Sequence, residues 1–119
     1  MRQIISSGSV KAFFLDREKV LKKLKDASME ASQIFPEIQE IRLFGSFARG
    51  ENTGLSDIDL FILTDHAEGN PVERIKPYFR YFSDKIEIAI DIIVATKEEA
   101  GMFQYLLQDS LILYSKESR

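Results

Sequence analysis

The chain of 119 residues contains no cysteine, and this absence limits the kinds of site that it can build. A disulfide-stapled fold and a thiolate metal site are both excluded, while a reducing compartment is compatible with the composition. Long apolar runs are also missing, since none approaches the roughly 20 residues needed to span a bilayer. We therefore expect a soluble, cytoplasmic chain that has no membrane as a partner.

Excess positive charge is missing as well, because 16 Lys and Arg residues stand against 19 Asp and Glu residues, a formal net charge of −3. Such a chain has no general attraction for nucleic acid, so a phosphate-bearing ligand must be held by local donors or through metal. The single histidine, His66, falls in a polar loop, and we interpret it as a loop residue and not as a ligand or general base.

The length and the ordinary balance of 45% apolar and 29% charged residues predict one globular domain over residues 1–119. Apolar spacing predicts a first helix from Asp16, a candidate N-cap, to a stop at Pro36. Thr96 and Glu99 form a capping-box pattern, and Pro77 predicts a kink or a later start for its helix. Strands are expected at 38–44, 57–63, 86–94 and 111–114, and further helices at 46–49, 71–82 and 97–107. Periodicity does not settle residues 1–15.

Asp57 and Asp59 mark the start of the second predicted strand. Side chains two residues apart on a strand point to the same face, so these carboxylates would lie side by side. Like charges so placed repel each other, and hard oxygen donors select magnesium, manganese or calcium as the cation that holds them together. The pair therefore predicts a divalent-metal site.

Asp91 is a third carboxylate, placed within an otherwise apolar predicted strand. On its own it would be explained by a buried ion pair or by a hydrogen bond to a backbone amide, because burying an unpaired carboxylate is costly. If the two strands share a sheet with their mouths aligned, Asp91 completes a cluster able to bridge two divalent ions about 4 Å apart, as in phosphoryl or nucleotidyl displacement.

Gly45 and Ser46 form a turn that could cradle a phosphate. Glycine lets the backbone approach a phosphate closely, while the serine hydroxyl and the following amides donate at a helix N-terminus. The alternative is an ordinary strand-to-helix turn. Arg49 could share a helix face with Ser46 and meet a phosphate, or it could be exposed or paired with Glu51.

Taken together, Gly45 and Ser46, then ten residues, then Asp57 and Asp59, with Asp91 on a later strand, resemble the signature of the DNA polymerase beta-like nucleotidyltransferase superfamily. From about residue 16 onward the chain is similar to its minimal nucleotidyltransferases. The resemblance implies an α+β fold, a small mixed sheet flanked by helices, and nucleoside monophosphate transfer from ATP or another triphosphate with two Mg²⁺ ions, or Mn²⁺. It also implies that Asp57 and Asp59 bind both metals, that Asp91 binds one and activates the acceptor, and that Gly45 and Ser46 hold the triphosphate.

Many minimal nucleotidyltransferases are paired with a small helical HEPT-domain protein, as the antitoxin that adenylylates a tyrosine of the toxin. The resemblance therefore implies a protein adenylyltransferase with a HEPT-domain partner, its acceptor supplied by a second chain or by a second subunit of a homo-oligomer. The alternative is a non-catalytic binding module that masks a partner protein. Modification of nucleic acid ends fits the acidic balance least well.

Basic and aromatic residues interleave in the helix predicted at 71–82 and just beyond it. The pattern could indicate stacking on single-stranded nucleic acid. We prefer an amphipathic helix whose aromatic side chains lie in the core or at a partner interface. The same choice between core and contact applies to a later group at 103–107. The interleaved residues are Arg74, Lys76, Tyr78, Phe79, Arg80, Tyr81, Phe82 and Lys85, and the later ones are Phe103, Tyr105, Leu106 and Leu107.

Overall fold

The computed structural model describes residues 17–50 and 57–118. In chain order its elements are α1 Arg17–Ile34, β1 Ile38–Phe44, α2 Gly45–Ala48, β2 Ile58–Thr64, α3 Pro71–Lys85, β3 Ile90–Thr96, α4 Gln104–Leu107 and β4 Leu111–Ser115. Single turns of 3-10 helix, Ala100–Phe103 and Lys116–Ser118, precede α4 and follow β4. The predicted N-cap at Asp16 and the question of residues 1–15 lie outside the described residues.

The four strands form one mixed sheet in the order β3-β2-β1-β4. β1 is antiparallel to both β2 and β4, whereas β2 and β3 run parallel. This sheet, flanked by helices, is the predicted α+β class. The strand directions bring the end of β1 and the starts of β2 and β3 to the same edge of the sheet.

The main core lies on the sheet face that α1 and α3 cover. Alternation along each strand sends every second side chain to this face. Full burial of one large apolar side chain, such as leucine or isoleucine, contributes roughly 1.5–3 kcal/mol to stability. The core includes Leu24 and Ala31 of α1, Tyr78 and Phe82 of α3, and Ile41, Leu43, Leu60, Ile62, Ile92 and Val94 of the strands.

A smaller cluster covers the opposite face of the sheet. Phe44, Phe61 and Ala95 form its buried part, and residues of the segment before β4 pack over it, namely Phe103, Leu106 and Leu107. The choice between core and contact is thus settled for these three as partly buried residues packed on the core, whereas Tyr105 is 72% exposed. Asp59 lies two residues before Phe61, so strand alternation places its side chain on this thinly covered face.

The strand predicted at 86–94 begins later, at Ile90. Helix α3 extends to Lys85, and Ile86 closes it by donating its backbone N–H to the carbonyl of Phe82 at 2.8 Å. Ile86 and Ile88 still contribute to the core, which is why the apolar alternation runs past the true start of the strand. Asp91 therefore lies within the strand, as predicted, but near its start, and the alternative of a buried ion pair is wrong. It is exposed, at the second position of β3.

The single helix predicted at 97–107 was also wrong. A turn and the 3-10 helix replace its first part, and α4 is only its last turn. Glu99 accepts a hydrogen bond from the backbone N–H of Thr96 at 3.0 Å, as a capping box requires. Gly101, however, carries a helix-propensity cost of about 1 kcal/mol relative to alanine, which disfavours a continuous α-helix here.

Helix α3 begins at Pro71 and continues through Pro77, so the alternative of a later start was wrong. The side chain of Asn70 caps it by accepting hydrogen bonds from the backbone N–H groups of Val72 and Glu73. Tyr78 and Phe82 are buried, whereas Phe79 is 45% exposed, so the amphipathic interpretation of this helix is confirmed. Along residues 17–50 and 57–118, no helix combines the length and the apolar character that a bilayer span requires.

Candidate active site

Gly45 forms the sharp turn that leads from β1 into α2. Its φ angle is +81°, a left-handed conformation that glycine adopts without a steric penalty. A Cβ atom at this position would lie 2.2 Å from Oδ2 of Asp59, so the Asp59 carboxylate would have to move. Two independent constraints thus require glycine here, and the backbone of the turn packs directly against the Asp59 carboxylate.

Asp59 and Asp91 are direct neighbours across the parallel pairing of β2 and β3. On its other side, Asp59 pairs with Phe44, the last residue of β1. Adjacent strands are about 4.8 Å apart, and paired residues share a face of the sheet. The structure therefore brings Asp59 between the Gly45 turn and Asp91, as the aligned-strand prediction required.

The electrostatics of Asp59 bring together the predicted charged residues of the site. Burial raises the pKa of the half-buried Asp59 carboxyl, and the negative charges of Asp91 and then Asp57 raise it further, whereas the cation of Arg49 lowers it. Asp57 is exposed and lies one residue before β2, so the predicted strand start was early by one residue. Asp57, Asp91 and Arg49 are thus each within electrostatic reach of Asp59 at this edge.

The residue types at this edge fit a divalent cation. Carboxylate oxygens are the hard ligands that Mg²⁺ and Mn²⁺ prefer, and a cation would relieve the repulsion that raises the pKa of Asp59. Among residues 17–50 and 57–118, however, no three acidic or histidine side chains converge into a group that could hold an ion. The set of three ligands, Asp57, Asp59 and Asp91, stays a prediction.

The two remaining predicted residues lie on or beside α2. Ser46 is its second residue and is partly buried, and Arg49 is exposed at its C-terminal end, where its N–H donates to the carbonyl of Gly45 at 3.2 Å. The effect of Arg49 on the Asp59 pKa places its charge on the side of the carboxylates. The alternative pairing with Glu51 lies outside the described residues. The roles of Ser46 and Arg49 toward phosphate stay predictions.

Arg17 is a residue of this region that the sequence patterns did not indicate. Its guanidinium donates to the carbonyls of Phe47 at 3.2 Å and Ala48 at 3.0 Å. These partners lie 30 and 31 residues along the chain, so no local spacing could have shown the contact. Arg17 joins the start of α1 to the end of α2.

The opposite edge of the sheet holds a separate cleft of about 580 Å³. His66 lies there in the loop after β2, as predicted, and its Nδ1 is 2.6 Å from Oδ1 of Asp65. The cleft is also lined by Glu37, Arg74 and Tyr78. The Tyr78 hydroxyl donates to the Glu37 carboxylate, and Nη1 of Arg74 donates to Oε1 of Glu99 at 2.6 Å. The side chains of the cleft do not take part in the carboxylate edge.

Comparison with known proteins agrees with this geometry. A family model for the nucleotidyltransferase domain matches residues 17–114. Two proteins of Methanocaldococcus jannaschii, both provisionally named protein adenylyltransferases, are similar in sequence. One is 33% identical over 75 residues, which are 63% of this chain and 74% of that protein. The other is 32% identical over 97 residues, which are 79% of this chain and 97% of that protein.

Two solved structures share the architecture. A crystal structure from Sulfolobus solfataricus, provisionally described as a nucleotidyltransferase, has a TM-score of 0.67 and 26% identity, covering 95% of this chain and 96% of that one. A crystal structure of a toxin-antitoxin with AMP-PNP has a TM-score of 0.56 and 21% identity, covering 87% and 76%. At that identity the second likeness shows the fold alone. The comparisons confirm the predicted fold class and the resemblance stated from the motif.

Proposed function

Because the chain belongs to the nucleotidyltransferase domain family, we propose that it transfers AMP from ATP to a hydroxyl group of a partner protein. The observation that carries the proposal is the position of Asp59, between the Gly45 turn and Asp91. A phosphate on the turn would then lie beside the carboxylates. The sequence relatives, named for protein adenylyltransfer, support AMP as the transferred group and a protein as the acceptor.

The reaction joins the acceptor oxygen to the α-phosphorus of ATP and breaks the bond to the bridging oxygen, releasing pyrophosphate. In-line displacement of this kind asks the protein chiefly to position the reactants. The Gly45 turn and Ser46 would hold the triphosphate, with Arg49 adding positive charge beside it. Asp91, exposed at the strand start, would accept the proton of the attacking hydroxyl.

Asp57, Asp59 and Asp91 are the residues that would hold Mg²⁺ or Mn²⁺. When bound, a divalent ion lowers the pKa of an attacking hydroxyl and neutralises charge on the leaving pyrophosphate. We propose two such ions, with Asp57 and Asp59 binding both of them. The raised pKa of Asp59 supports this proposal, because burial and then the charges of Asp91 and Asp57 disfavour the ionised carboxylate, and Arg49 offsets them only in part.

A toxin is the partner that we propose for this chain. The toxin-antitoxin crystal structure with AMP-PNP supports a fold of this kind working beside a toxin and an adenine nucleotide. In the proposal the chain is the antitoxin, and adenylylation of a toxin hydroxyl, on tyrosine in a helical HEPT-domain protein, neutralises the partner. The acceptor surface would be supplied by the partner chain.

The proposal is tested by label transfer. The chain is incubated with α-labelled ATP, Mg²⁺ and the protein encoded beside its gene, and we expect the label on that neighbour. Asp59→Asn should lower the transfer rate by at least about 100-fold, as expected for loss of a metal-holding carboxylate. Asp65→Asn, at the other end of the same strand, is the matched control. No transfer by the wild type, or equal transfer by Asp59→Asn, would contradict the proposal.

A second candidate function is a binding module that masks a partner without catalysis. It is favoured by one observation, that the described carboxylates do not converge into a three-ligand group. The two functions separate in the double variant Asp57→Asn with Asp59→Asn. A masking protein should still neutralise its partner, whereas an enzyme should not, provided that circular dichroism shows the variant to be folded.

A further inference from the structure

Arg17, which is not one of the predicted site residues, contacts the C-terminal end of α2 with its side chain. One terminal nitrogen of the guanidinium bridges two consecutive carbonyls, of Phe47 and Ala48. The guanidinium carbon also lies 5.6 Å from the centre of the Phe47 ring, within the range of a cation–π contact. The side chain is partly buried, and its Nε has no hydrogen-bond partner among the described residues. Such a group is held in place by its carbonyl and ring contacts.

Helix α2 needs an external partner because it is so short. It has four residues, and a single helical turn is unstable in isolation since nucleation is costly. Its last carbonyls lack partners within the helix, and a cation at a helix C-terminus is favourable. At its C-terminal end the backbone N–H of Arg49 donates to the carbonyl of Gly45 and that of Gly50 to the carbonyl of Phe47, both at 3.2 Å. Arg17 therefore supplies charge-assisted hydrogen bonds to the last two carbonyls of α2.

The position of α2 matters because its first residue is Gly45, whose backbone touches Asp59. A displacement of the short helix would change the separation between the turn and the carboxylates. We infer that Arg17 is a positioning residue that sets the affinity for nucleoside triphosphate by fixing the Gly45 turn, without contacting the nucleotide itself. This inference depends on the proposed function, in which the turn holds the triphosphate.

Titration calorimetry with ATP and Mg²⁺ tests the inference on the full chain at a temperature where every variant is folded. Arg17→Met should weaken ATP binding about tenfold, as expected for the loss of charge-assisted hydrogen bonds. Arg17→Lys keeps the charge but lacks the planar guanidinium, so its Kd should fall between those of wild type and Arg17→Met. Lys22→Met, an exposed position on the same helix, is the matched control and should bind ATP like the wild type.

Two further measurements separate positioning from general stabilisation. In Arg17→Met the amide protons of Arg49 and Gly50 should exchange at least about tenfold faster, because local opening of α2 becomes easier. In the transfer assay the KM for ATP should rise while kcat changes little, the pattern of lost ground-state binding. A variant that is only less stable would show neither change when it is measured folded.

The outcomes are distinct. If the wild type binds no ATP, the proposed function fails and this inference fails with it. If the wild type binds ATP and Arg17→Met binds it equally well, only the role of Arg17 is overturned. If Arg17→Met does not fold, Arg17→Lys decides, and a Kd within twofold of the wild type, with unchanged exchange at Arg49 and Gly50, overturns the inference.

Discussion

Gly45 and Asp59 are in such close contact that a Cβ atom on the glycine would lie 2.2 Å from Oδ2 of the aspartate. The turn that ends β1 and the carboxylate that begins β2 are therefore a single packed unit. Because the backbone of Gly45 lies against the carboxylate of Asp59, a substitution at either residue should disturb the position of the other. The relationship makes Gly45 a sensitive probe of the site.

Gly45→Ala should lower the free energy of unfolding by about 2–4 kcal/mol, from a left-handed conformation and a steric clash together. Gly50→Ala is the matched control. Gly50 also has a positive φ, +76°, but no atom of the described residues lies within 4 Å of its added Cβ, so only the conformational cost of about 1 kcal/mol should remain. Urea unfolding of both variants measures the difference, and equal losses would show that the contact with Asp59 is not a constraint.

Asp91→Asn should weaken Mn²⁺ binding at least tenfold, roughly the effect that changes around a metal site produce. The reason is that Asp91 is paired with Asp59 across β2 and β3 and raises its pKa. Electron paramagnetic resonance of free Mn²⁺ during titration measures the affinity. Asp84→Asn, an exposed change of the same type near the end of α3, should leave the affinity unaltered. Equal Mn²⁺ binding by Asp91→Asn and wild type would remove Asp91 from the ligand set.

Glu99 should make the stability of the fold depend on pH in the acidic range. Hydrogen bonds from the Thr96 backbone and from Arg74 lower the pKa of this carboxyl below its ordinary value. The folded state thus binds the proton less readily than the unfolded state, so the contribution of Glu99 is complete above about pH 4.3 and is lost as the pH falls further toward the folded pKa.

Glu99→Gln should therefore destabilise the protein at pH 7 and have a smaller effect at pH 3. Thermal melts at both pH values measure the two differences. Glu98→Gln, at the exposed neighbouring position, controls for the general effect of removing a negative charge. If Glu99→Gln lowered the melting temperature equally at both pH values, the pairing of Glu99 with Arg74 would not contribute to the acid sensitivity.

Helix α3 should show a sharp contrast between its two faces. Phe82 is fully buried, and Phe82→Ala should cost about 3–5 kcal/mol because it leaves a cavity in the core. Phe79 is 45% exposed, and Phe79→Ala should cost about 1 kcal/mol or less. Chemical denaturation compares the two. If Phe79→Ala were the more damaging change, the face that α3 turns to the core would be misassigned.

The sequence by itself predicted the elements whose signals are local. β1 was predicted with its observed bounds because a short segment with Ile38, Ile41, Leu43 and Phe44 lies between Pro36 and Gly45. The short helix after Gly45 follows from the same glycine. The three-and-four spacing of apolar residues was enough for α1. The candidate site followed from Asp57, Asp59 and Asp91 because their residue types and spacing form a motif.

Local signals failed where a tertiary contact decided the structure. The alternation of isoleucines before Asp91 resembled a strand, but Ile86 instead closes α3 and both Ile86 and Ile88 pack into the core. The segment 97–107 had a capping box, but Glu99 lies in a turn and also accepts a hydrogen bond from Arg74 of α3, 25 residues away. An apolar repeat indicates which side chains are buried, but it does not show whether a helix, a strand or a turn carries them.

The tertiary structure alone decided how the site is assembled. The sequence contains Gly45, Asp59 and Asp91, but only the strand pairing makes Asp59 the neighbour of the other two. Only the packing of α1 brings Arg17 to the end of α2. The physical reason is that an apolar repeat reflects only residues that are close in sequence, within one helix or strand. Hydrogen bonds and charge interactions need groups within a few ångströms of each other, and for residues far apart in the chain only the completed fold brings them that close.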